Sequence, residues 1–205
     1  MIFIYSFGGH AREFARIVRT ANPGQDVLFI DDGGVEGAVT YQRALELKGD
    51  QDGHVAIGFG DGQLRRQKAA LVLKDSFRLL PVVAPTCIVG DDVSIGEGAV
   101  LSDFSMITAN VEVGRCFHAN MYSYVAHDCV LGDFVTLAPR ASVNGRVVIE
   151  DEVYVGAGAT ILQGITKAPI TIGKGAVIGA HALVTKDVAP GATVVGAPAR
   201  PLAKK

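Results

Sequence analysis

The chain lacks several features that mark other functional classes. Its 205 residues include no tryptophan and only three cysteines, at positions 87, 116 and 129, and their spacing matches no paired metal-ligand motif. There are 19 lysines and arginines against 21 aspartates and glutamates, so the formal net charge is −2, and no basic run occurs. The composition therefore argues against nucleic-acid binding and against a cysteine-based zinc site or disulfide framework.

Long apolar runs are also missing. No stretch approaches the length that crosses a bilayer, and the first residues do not have the layout of a signal peptide. We therefore expect a cytoplasmic protein without membrane insertion. Glycine, in contrast, is abundant, with 25 residues.

The dominant feature of the sequence is a repeat of six residues. A column residue, nearly always aliphatic, recurs at every sixth position from Val83 to Ile161, and the pattern resumes at Ile172, Ile178 and Val184 after a break at 167–171. A small residue usually follows the column residue. A period of six fits neither an amphipathic helix nor an alternating strand, and it is the signature of a parallel β-helix. Three hexapeptides make one triangular coil of about 18 residues, so the repeat predicts about six coils with the column inside.

Two further sets of residues follow from this register. Cys87 and Cys129 occupy a second inward position, so we expect both to be buried. Six large apolar residues fall at outward positions: Met106, Tyr122, Tyr124, Phe134, Tyr154 and Leu183. Aromatic residues gathered on a few neighbouring coils favour an interface, and a triangular prism suggests a three-fold oligomer. The alternative is that they lie under the N-terminal segment.

The first eighty residues follow a different pattern. Short apolar strands are predicted at 2–6, 27–32, 54–59 and 79–83, and helices at 11–21, 41–47 and 63–73. Strands that alternate with helices predict a small parallel α/β sheet. We therefore predict two domains, an α/β domain over 1–80 and the β-helix with a short C-terminal tail over 81–205.

Ligands of such sheets bind at the carboxyl ends of the strands, where three predicted loops meet. These loops contain Gly8-Gly9-His10, Asp31-Asp32 and Gly58–Gly62. A glycine turn that opens a helix exposes N–H groups to a phosphate, and an acidic pair can accept hydrogen bonds from ribose hydroxyls or a base. The full G-x-G-x-x-G spacing is absent, so ordinary loop glycines remain the alternative on this segment.

His127 is the candidate catalytic residue of the repeat. It is third in its hexapeptide and should point outward, and the equivalent position one coil later is Gly145. A missing side chain above a histidine opens a notch and exposes a backbone N–H beside the imidazole, which suits a general base next to an oxyanion donor. Asp128 can orient His127 only if the pair lies at a corner, and the alternative is a solvated pair on a coil edge. No close histidine pair has metal-ligand spacing, so we expect no metal.

The whole chain resembles the bacterial sugar-nucleotide N-acetyltransferases of surface-glycan pathways and the related sialic-acid O-acetyltransferase-like proteins. The resemblance rests on YVAHDCVLGDF around His127, ASVNGRV around Gly145, and the terminal segment Val195–Arg200, together with the glycine loop, the paired aspartates and Ala56-Ile57-Gly58. It implies a Rossmann-like N-terminal domain, a left-handed β-helix and a homotrimer.

The resemblance also implies an activity and a set of site residues. The family moves acetyl from acetyl-CoA to the amino group of a nucleotide-linked 4-amino-4,6-dideoxy sugar. For this chain we predict direct attack, with no acyl-enzyme. The implied catalytic residues are His127 as base and Asp128 as its orienting acid. Three sets of binding residues are implied: Gly9, His10, Asp31, Asp32, Gly58 and Arg65 for the nucleotide, Asn120 and Thr136 for the acceptor, and Gly145, Gly179, Ala180, Pro198 and Arg200 for acetyl-CoA.

The sequence departs from the family at two of these places. Ser6 stands where a glycine is common in the first loop, and Thr136 stands where some members have a second active-site histidine. Two alternatives to N-acetylation remain: O-acetylation of a sugar or sialic-acid hydroxyl, and a non-catalytic trimer that binds a sugar nucleotide.

Overall fold

A computed structural model describes residues 1–202, which form two compact units divided between Val82 and Val83. The first unit contains a five-stranded parallel sheet in the order β3-β2-β1-β4-β5. Its elements in chain order are β1 Ile2–Tyr5, α1 Gly9–Ala21, β2 Val27–Ile30, β3 Ala38–Val39, α2 Tyr41–Lys48, β4 Gly53–Ile57, α3 Gly62–Lys74 and β5 Phe77–Leu79. The predicted strands and helices are confirmed with small shifts, with two exceptions. Strand β3 was not predicted, and the segment 79–83 holds the last residue of β5 and a separate strand, Val82–Val83.

The sequence of each element explains its place in this sheet. All four residues of β1 are apolar or aromatic and buried, which is typical of the central strand of a parallel sheet. Helix α1 buries Phe14, Ile17 and Val18 on one face, as the sequence predicts. The chain leaves β1 on one side to form β2 and β3 and then returns to form β4 on the other side. The order of strands therefore reverses between β1 and β4, which is where such sheets bind ligands.

The second unit is a solenoid of short strands in three stacks, and all of these strands run parallel except the last. The first stack contains eight strands: β6 Val82–Val83, β9 Val100–Leu101, β12 His118–Ala119, β15 Thr136–Leu137, β18 Tyr154–Val155, β21 Val177–Ile178, β23 Thr193–Val195 and β24 Arg200–Pro201. The second contains six: β7 Ile88–Val89, β10 Met106–Ile107, β13 Tyr124–Val125, β16 Ser142–Val143, β19 Thr160–Ile161 and β22 Leu183–Val184. The third contains five: β8 Val93–Ile95, β11 Val111–Val113, β14 Cys129–Leu131, β17 Val147–Ile149 and β20 Ile170–Ile172.

The register confirms the predicted coil length. Met106 pairs with Tyr124, eighteen residues later in the chain. Val147 pairs with Ile170, twenty-three residues later, so one coil carries five extra residues. The additional residues form a tight loop in which Ile165 and Ala168 exchange two backbone hydrogen bonds. This loop falls at the predicted break in the repeat.

The column forms the core of the solenoid, with an exception at its beginning. From Leu101 to Val184 the column side chains are buried in one continuous cluster. Val83 and Val89 are 49% and 42% exposed, so the prediction of an inward, covered position is wrong for them. Both lie in the first coil, and a first coil has no preceding coil to cover its column.

The structure also gives the burial of three other residues whose positions were predicted. Cys129 is buried and Cys87 is half-buried, and none of the three cysteines forms a disulfide within residues 1–202. Phe134, predicted to lie at an outward position, is only 4% exposed. It lies at the same corner as Cys116, one coil earlier, and that residue is also buried, so this corner is covered over successive coils.

Within residues 1–202 no helix is both long and apolar enough to cross a bilayer.

Candidate active site

The first cluster of predicted site residues lies at the carboxyl ends of β1 and β2. The Asp31 carboxylate accepts hydrogen bonds from the N–H of Phe7 at 3.2 Å and from the N–H of Gly33 at 2.9 Å. The Asp32 carboxylate accepts from the Tyr41 N–H at 2.7 Å and from the Tyr5 hydroxyl at 3.4 Å. The paired aspartates therefore hold the loops at the sheet edge together. Their remaining lone pairs can accept hydrogen bonds from a ligand.

Tyr5 and Lys68 belong to this cluster, although neither was predicted as a site residue. The Lys68 ammonium donates to the Tyr5 hydroxyl at 3.0 Å, and the aromatic ring of Tyr41 stacks on that of Tyr5. Burial raises the pKa of Tyr5 against the opposing effect of Lys68. A signal for Lys68 existed in the sequence, since it lies three residues after Arg65 on the same face of α3.

His10 is a neutral imidazole near the N-terminus of α1. Burial lowers its pKa to about 4, and the Arg65 guanidinium adds to this shift. At neutral pH it therefore offers a hydrogen bond without a positive charge. Gly9, directly before it, is exposed with open space around its Cα, so the loop is accessible at this point.

Arg65 and Gly58 shape the third loop of this cluster. Arg65 has no exposed surface and donates to the carbonyl oxygens of Phe59 at 2.7 Å and Gly60 at 3.1 Å. Its guanidinium therefore supports the loop, and the predicted contact of Arg65 with the nucleotide stays a prediction. A Cβ at Gly58 would lie 2.6 Å from the Cβ of Ala11, so glycine is required there for close approach of α1.

The second cluster lies at a corner of the solenoid, between β13 and β14. The His127 Nδ1 and the Asp128 Oδ2 are 2.8 Å apart. Asp128 has a φ of 60°, so the chain turns at this residue, and the two adjacent side chains meet instead of pointing to opposite faces. The pair therefore lies at a corner, as the predicted role of Asp128 in orienting His127 requires.

Contacts from neighbouring coils hold the Asp128 carboxylate. The Asn110 amide donates to Oδ1 at 2.8 Å, and the Arg146 guanidinium lies 3.4 Å from Oδ2. The Asn110 hydrogen bond and the His127 hydrogen bond, in that order, are the main causes that lower the pKa of Asp128. An ionised carboxylate only accepts hydrogen bonds, so the Nδ1 of a neutral His127 must carry the proton and the Nε2 keeps a lone pair. That tautomer is the one a general base requires.

Gly145 completes this corner. A Cβ at Gly145 would lie 2.7 Å from Cε1 and 2.8 Å from Nε2 of His127, so the imidazole covers the bare glycine backbone. At another corner, the equivalent N–H groups of Arg115 and Asp133 donate to aspartates of the following coil, Asp133 and Asp151 respectively. Among residues 1–202 the Gly145 N–H donates no hydrogen bond to a backbone carbonyl or an aspartate, and the residue one coil on is Gln163. A peptide donor is therefore left available beside Nε2.

The predicted acceptor residues lie away from His127 within one chain. Asn120 is at the corner between β12 and β13, and its Oδ1 is buried without a hydrogen-bond partner among the described residues. Thr136 is on β15 and is only 2% exposed within one chain, and its predicted contact with the sugar stays a prediction. The outward side of this stack is buried over three consecutive coils, at Val100, His118 and Thr136.

The predicted acetyl-CoA residues, apart from Gly145, lie in the last coils. Gly179 donates its N–H to the Val194 carbonyl, and a Cβ there would lie 2.7 Å from Val195 Cγ1. Ala180, Pro198 and Arg200 are exposed, and β24 folds back antiparallel to β23. The structure thus gathers these four residues near one end of the solenoid.

The solenoid of hexapeptide coils defines the structural class of this protein, the hexapeptide-repeat β-helix. A family model for the bacterial transferase hexapeptide, of six repeats, matches residues 128–163, a segment that includes both Asp128 and Gly145.

Relatives at higher similarity place the chain within that class. GDP-perosamine N-acetyltransferase from Escherichia coli O157:H7 is 45% identical over 144 residues, which are 70% of this chain and 65% of that protein, slightly under two thirds of its length. WeeI from Acinetobacter baumannii AYE is 41% identical, with a TM-score of 0.95 over 98% of this chain and 99% of that one. PerB from Caulobacter crescentus, solved in complex with CoA and GDP-perosamine, is 26% identical, with a TM-score of 0.88 over 98% and 97%. With 41% identity over nearly the whole length of WeeI, the chain belongs to the same hexapeptide-repeat family as that protein.

Proposed function

We propose that this protein transfers the acetyl group of acetyl-CoA to the 4-amino group of a nucleotide-linked 4-amino-4,6-dideoxy sugar. The observation that carries the proposal is the arrangement of His127, Asp128 and Gly145 at one corner of the solenoid, in a chain that is 45% identical to a GDP-perosamine N-acetyltransferase. That relative favours a GDP-linked acceptor.

In this mechanism the amine attacks the thioester carbonyl directly. Nε2 of His127 takes the proton that the amine loses, and Asp128, which stays ionised, stabilises the imidazolium that forms. The Gly145 N–H donates to the carbonyl oxygen as negative charge develops on it. The thiolate of CoA leaves, and the proton on His127 is available to it. Holding both substrates at the notch supplies much of the rate.

The two units have separate roles in this proposal. The Met1–Val82 unit is a Rossmann-like domain that binds the nucleotide at the switch between β1 and β4, with Gly9, His10, Asp31 and Asp32 at the site. The solenoid, coiled in the left-handed sense of the family, binds acetyl-CoA along the residues from Gly145 to Arg200. We place the enzyme in the cytoplasm, where both substrates occur.

A homotrimer completes the site. Within one chain Asn120 and His127 occupy different corners, so only a second copy can bring an Asn120 side chain to the His127 corner. Two further features support an interface. The buried Oδ1 of Asn120 has no hydrogen-bond partner in the described part of the chain, residues 1–202. The stacked rings of Phe104 and Tyr122 lie 5.2 Å apart and are 52% and 56% exposed.

The test is an assay of CoA thiol release across a panel of nucleotide sugars. We expect release that depends on GDP-perosamine or another 4-amino sugar nucleotide, and none with the corresponding 4-hydroxy sugar nucleotides. Release with hydroxyl acceptors alone would show O-acetylation instead. Calorimetry with GDP, UDP and dTDP then identifies the base, and nucleotide binding without any acetyl-CoA binding would indicate a non-catalytic trimer.

A further inference from the structure

We infer that Asn110 is a positioning residue for the His127–Asp128 pair, acting from the neighbouring coil; this inference rests on the proposed acetyl transfer. Within residues 1–202 no hydrogen bond joins Asn110 to the imidazole. Its amide Nδ2 donates to Asp128 Oδ1 at 2.8 Å, while the other oxygen of that carboxylate, Oδ2, lies 2.8 Å from His127 Nδ1. One carboxylate therefore connects the two side chains.

The backbone of the solenoid places Asn110 next to Asp128, within reach of its carboxylate. Asn110, Asp128 and Arg146 are separated by eighteen residues each and have φ values of 53°, 60° and 59°, so they occupy the same left-handed turn in three successive coils. Side chains at this position lie above one another at about the spacing of neighbouring strands, ~4.8 Å. Asparagine also tolerates the left-handed conformation better than most residues.

The contact fixes the rotation of the Asp128 side chain. Asp128 is 37% exposed on its side chain, so water competes for both of its oxygens. With Oδ1 held by Asn110, the carboxylate plane is set and Oδ2 remains directed at Nδ1. The Nη2 of Arg146, at 3.4 Å from Oδ2, contributes charge from the other side with less directional control. A fixed Nδ1–H bond in turn fixes the imidazole plane and the direction of the Nε2 lone pair.

Asp92 provides a matched control. It lies one coil before Asn110, in the same left-handed turn with a φ of 54°, and it is likewise exposed. No hydrogen bond or ion pair joins it to Asp128 among residues 1–202. Replacing either residue by glycine removes a side chain without straining the backbone, because glycine takes a positive φ freely.

The experiment compares Asn110→Gly, Asn110→Asp and Asp92→Gly in steady-state assays. We expect Asn110→Gly to lower kcat by about tenfold with little change in either KM, because a loosened base geometry affects the reacting atoms and not substrate binding. Asn110→Asp keeps the size and the turn preference but sets a second carboxylate against Asp128, so its kcat should fall at least as far. Asp92→Gly should retain the wild-type kcat. A purely structural role predicts that Asn110→Asp is tolerated, and that result would overturn the inference, as would an equal loss in Asp92→Gly.

A second readout does not depend on catalysis. In protein labelled with ¹⁵N-histidine, the Nδ1–H proton of His127 should give a hydrogen-bonded signal in the wild type and in Asp92→Gly, and it should be lost or exchange-broadened in Asn110→Gly. An unchanged signal in Asn110→Gly overturns the inference. If the wild type fails to acetylate any acceptor, the proposed function is wrong, and this signal still decides whether Asn110 orders the pair.

Discussion

The imidazole of His127 lies against the backbone of Gly145, one coil later, with no space for even a methyl group between them. A Cβ at position 145 would be 2.7 Å from Cε1 of the ring. Substitution of Gly145 by alanine should therefore move the ring away from Asp128 and from the Gly145 N–H. We expect kcat to fall by about 10²-fold, since a displacement of about 1 Å is enough for a loss of that size. Because His127 is half-exposed and can rotate outward, the thermal unfolding temperature should change little, and unfolding measured by circular dichroism checks this. Full activity in Gly145→Ala would show that the notch has no role.

Replacement of His127 itself tests the general base. His127→Ala should lower kcat by ~10²–10⁴-fold while the protein remains folded and keeps its oligomeric state. Asp128→Asn keeps the size of the side chain and should cost less, because it removes the charge that supports the imidazolium but leaves the base in place. Steady-state kinetics with size-exclusion chromatography as the folding control measure both. A larger loss in Asp128→Asn than in His127→Ala would mean that the two roles are assigned wrongly.

Ser6 allows a test of strain in the first loop. Its φ of 124° lies in the region that favours glycine, and its hydroxyl accepts a hydrogen bond from the Gly8 N–H at 3.0 Å. Ser6→Ala loses the hydrogen bond and keeps the backbone strain. Ser6→Gly loses the same hydrogen bond but relieves the strain. We therefore expect Ser6→Gly to be more stable than Ser6→Ala by at least about 1 kcal/mol in urea unfolding, the reverse of the usual order of these residues. Equal stabilities would show that the loop adopts another conformation in solution.

The buried His10 predicts a pH dependence of stability. Its pKa is about 4 in the folded protein and 6.5 for an ordinary histidine, so between these values the unfolded chain binds a proton that the folded chain does not. The free energy of unfolding should therefore fall as the pH is lowered from about 6.5 towards 4, by up to about 3 kcal/mol from this group. His10→Gln should lose that part of the dependence. Urea unfolding at a fixed protein concentration over this pH range measures it, and identical slopes in the two proteins would contradict the burial of His10.

Much of the candidate site could be predicted from the repeat alone. Counting eighteen residues from His127 gives Gly145, and the structure confirms that the two are in contact. The same count from Asp128 gives Asn110, so a sequence signal for that residue existed and was not used. The α/β pattern of the first unit likewise located the loops that meet at β1 and β2.

Other residues could not be assigned in this way. Arg65 reads as a ligand-binding cation on a helix, but its guanidinium is buried against the carbonyls of its own loop. Phe134 and Thr136 occupy outward positions of their hexapeptides, yet both are buried. A repeat specifies which way a side chain points from its own coil; it does not specify what covers that face.

The sequence by itself determined the coil, because a period of six can bury its aliphatic column only by turning the chain at regular corners. It also determined which residues stack, since stacking depends on spacing alone. Tertiary structure decided how the polar groups use that stacking: the rotation of Asp128 towards His127, its contact with Asn110, and the burial of Arg65. These depend on side-chain conformations and on long-range packing, which a linear pattern of residue types does not encode.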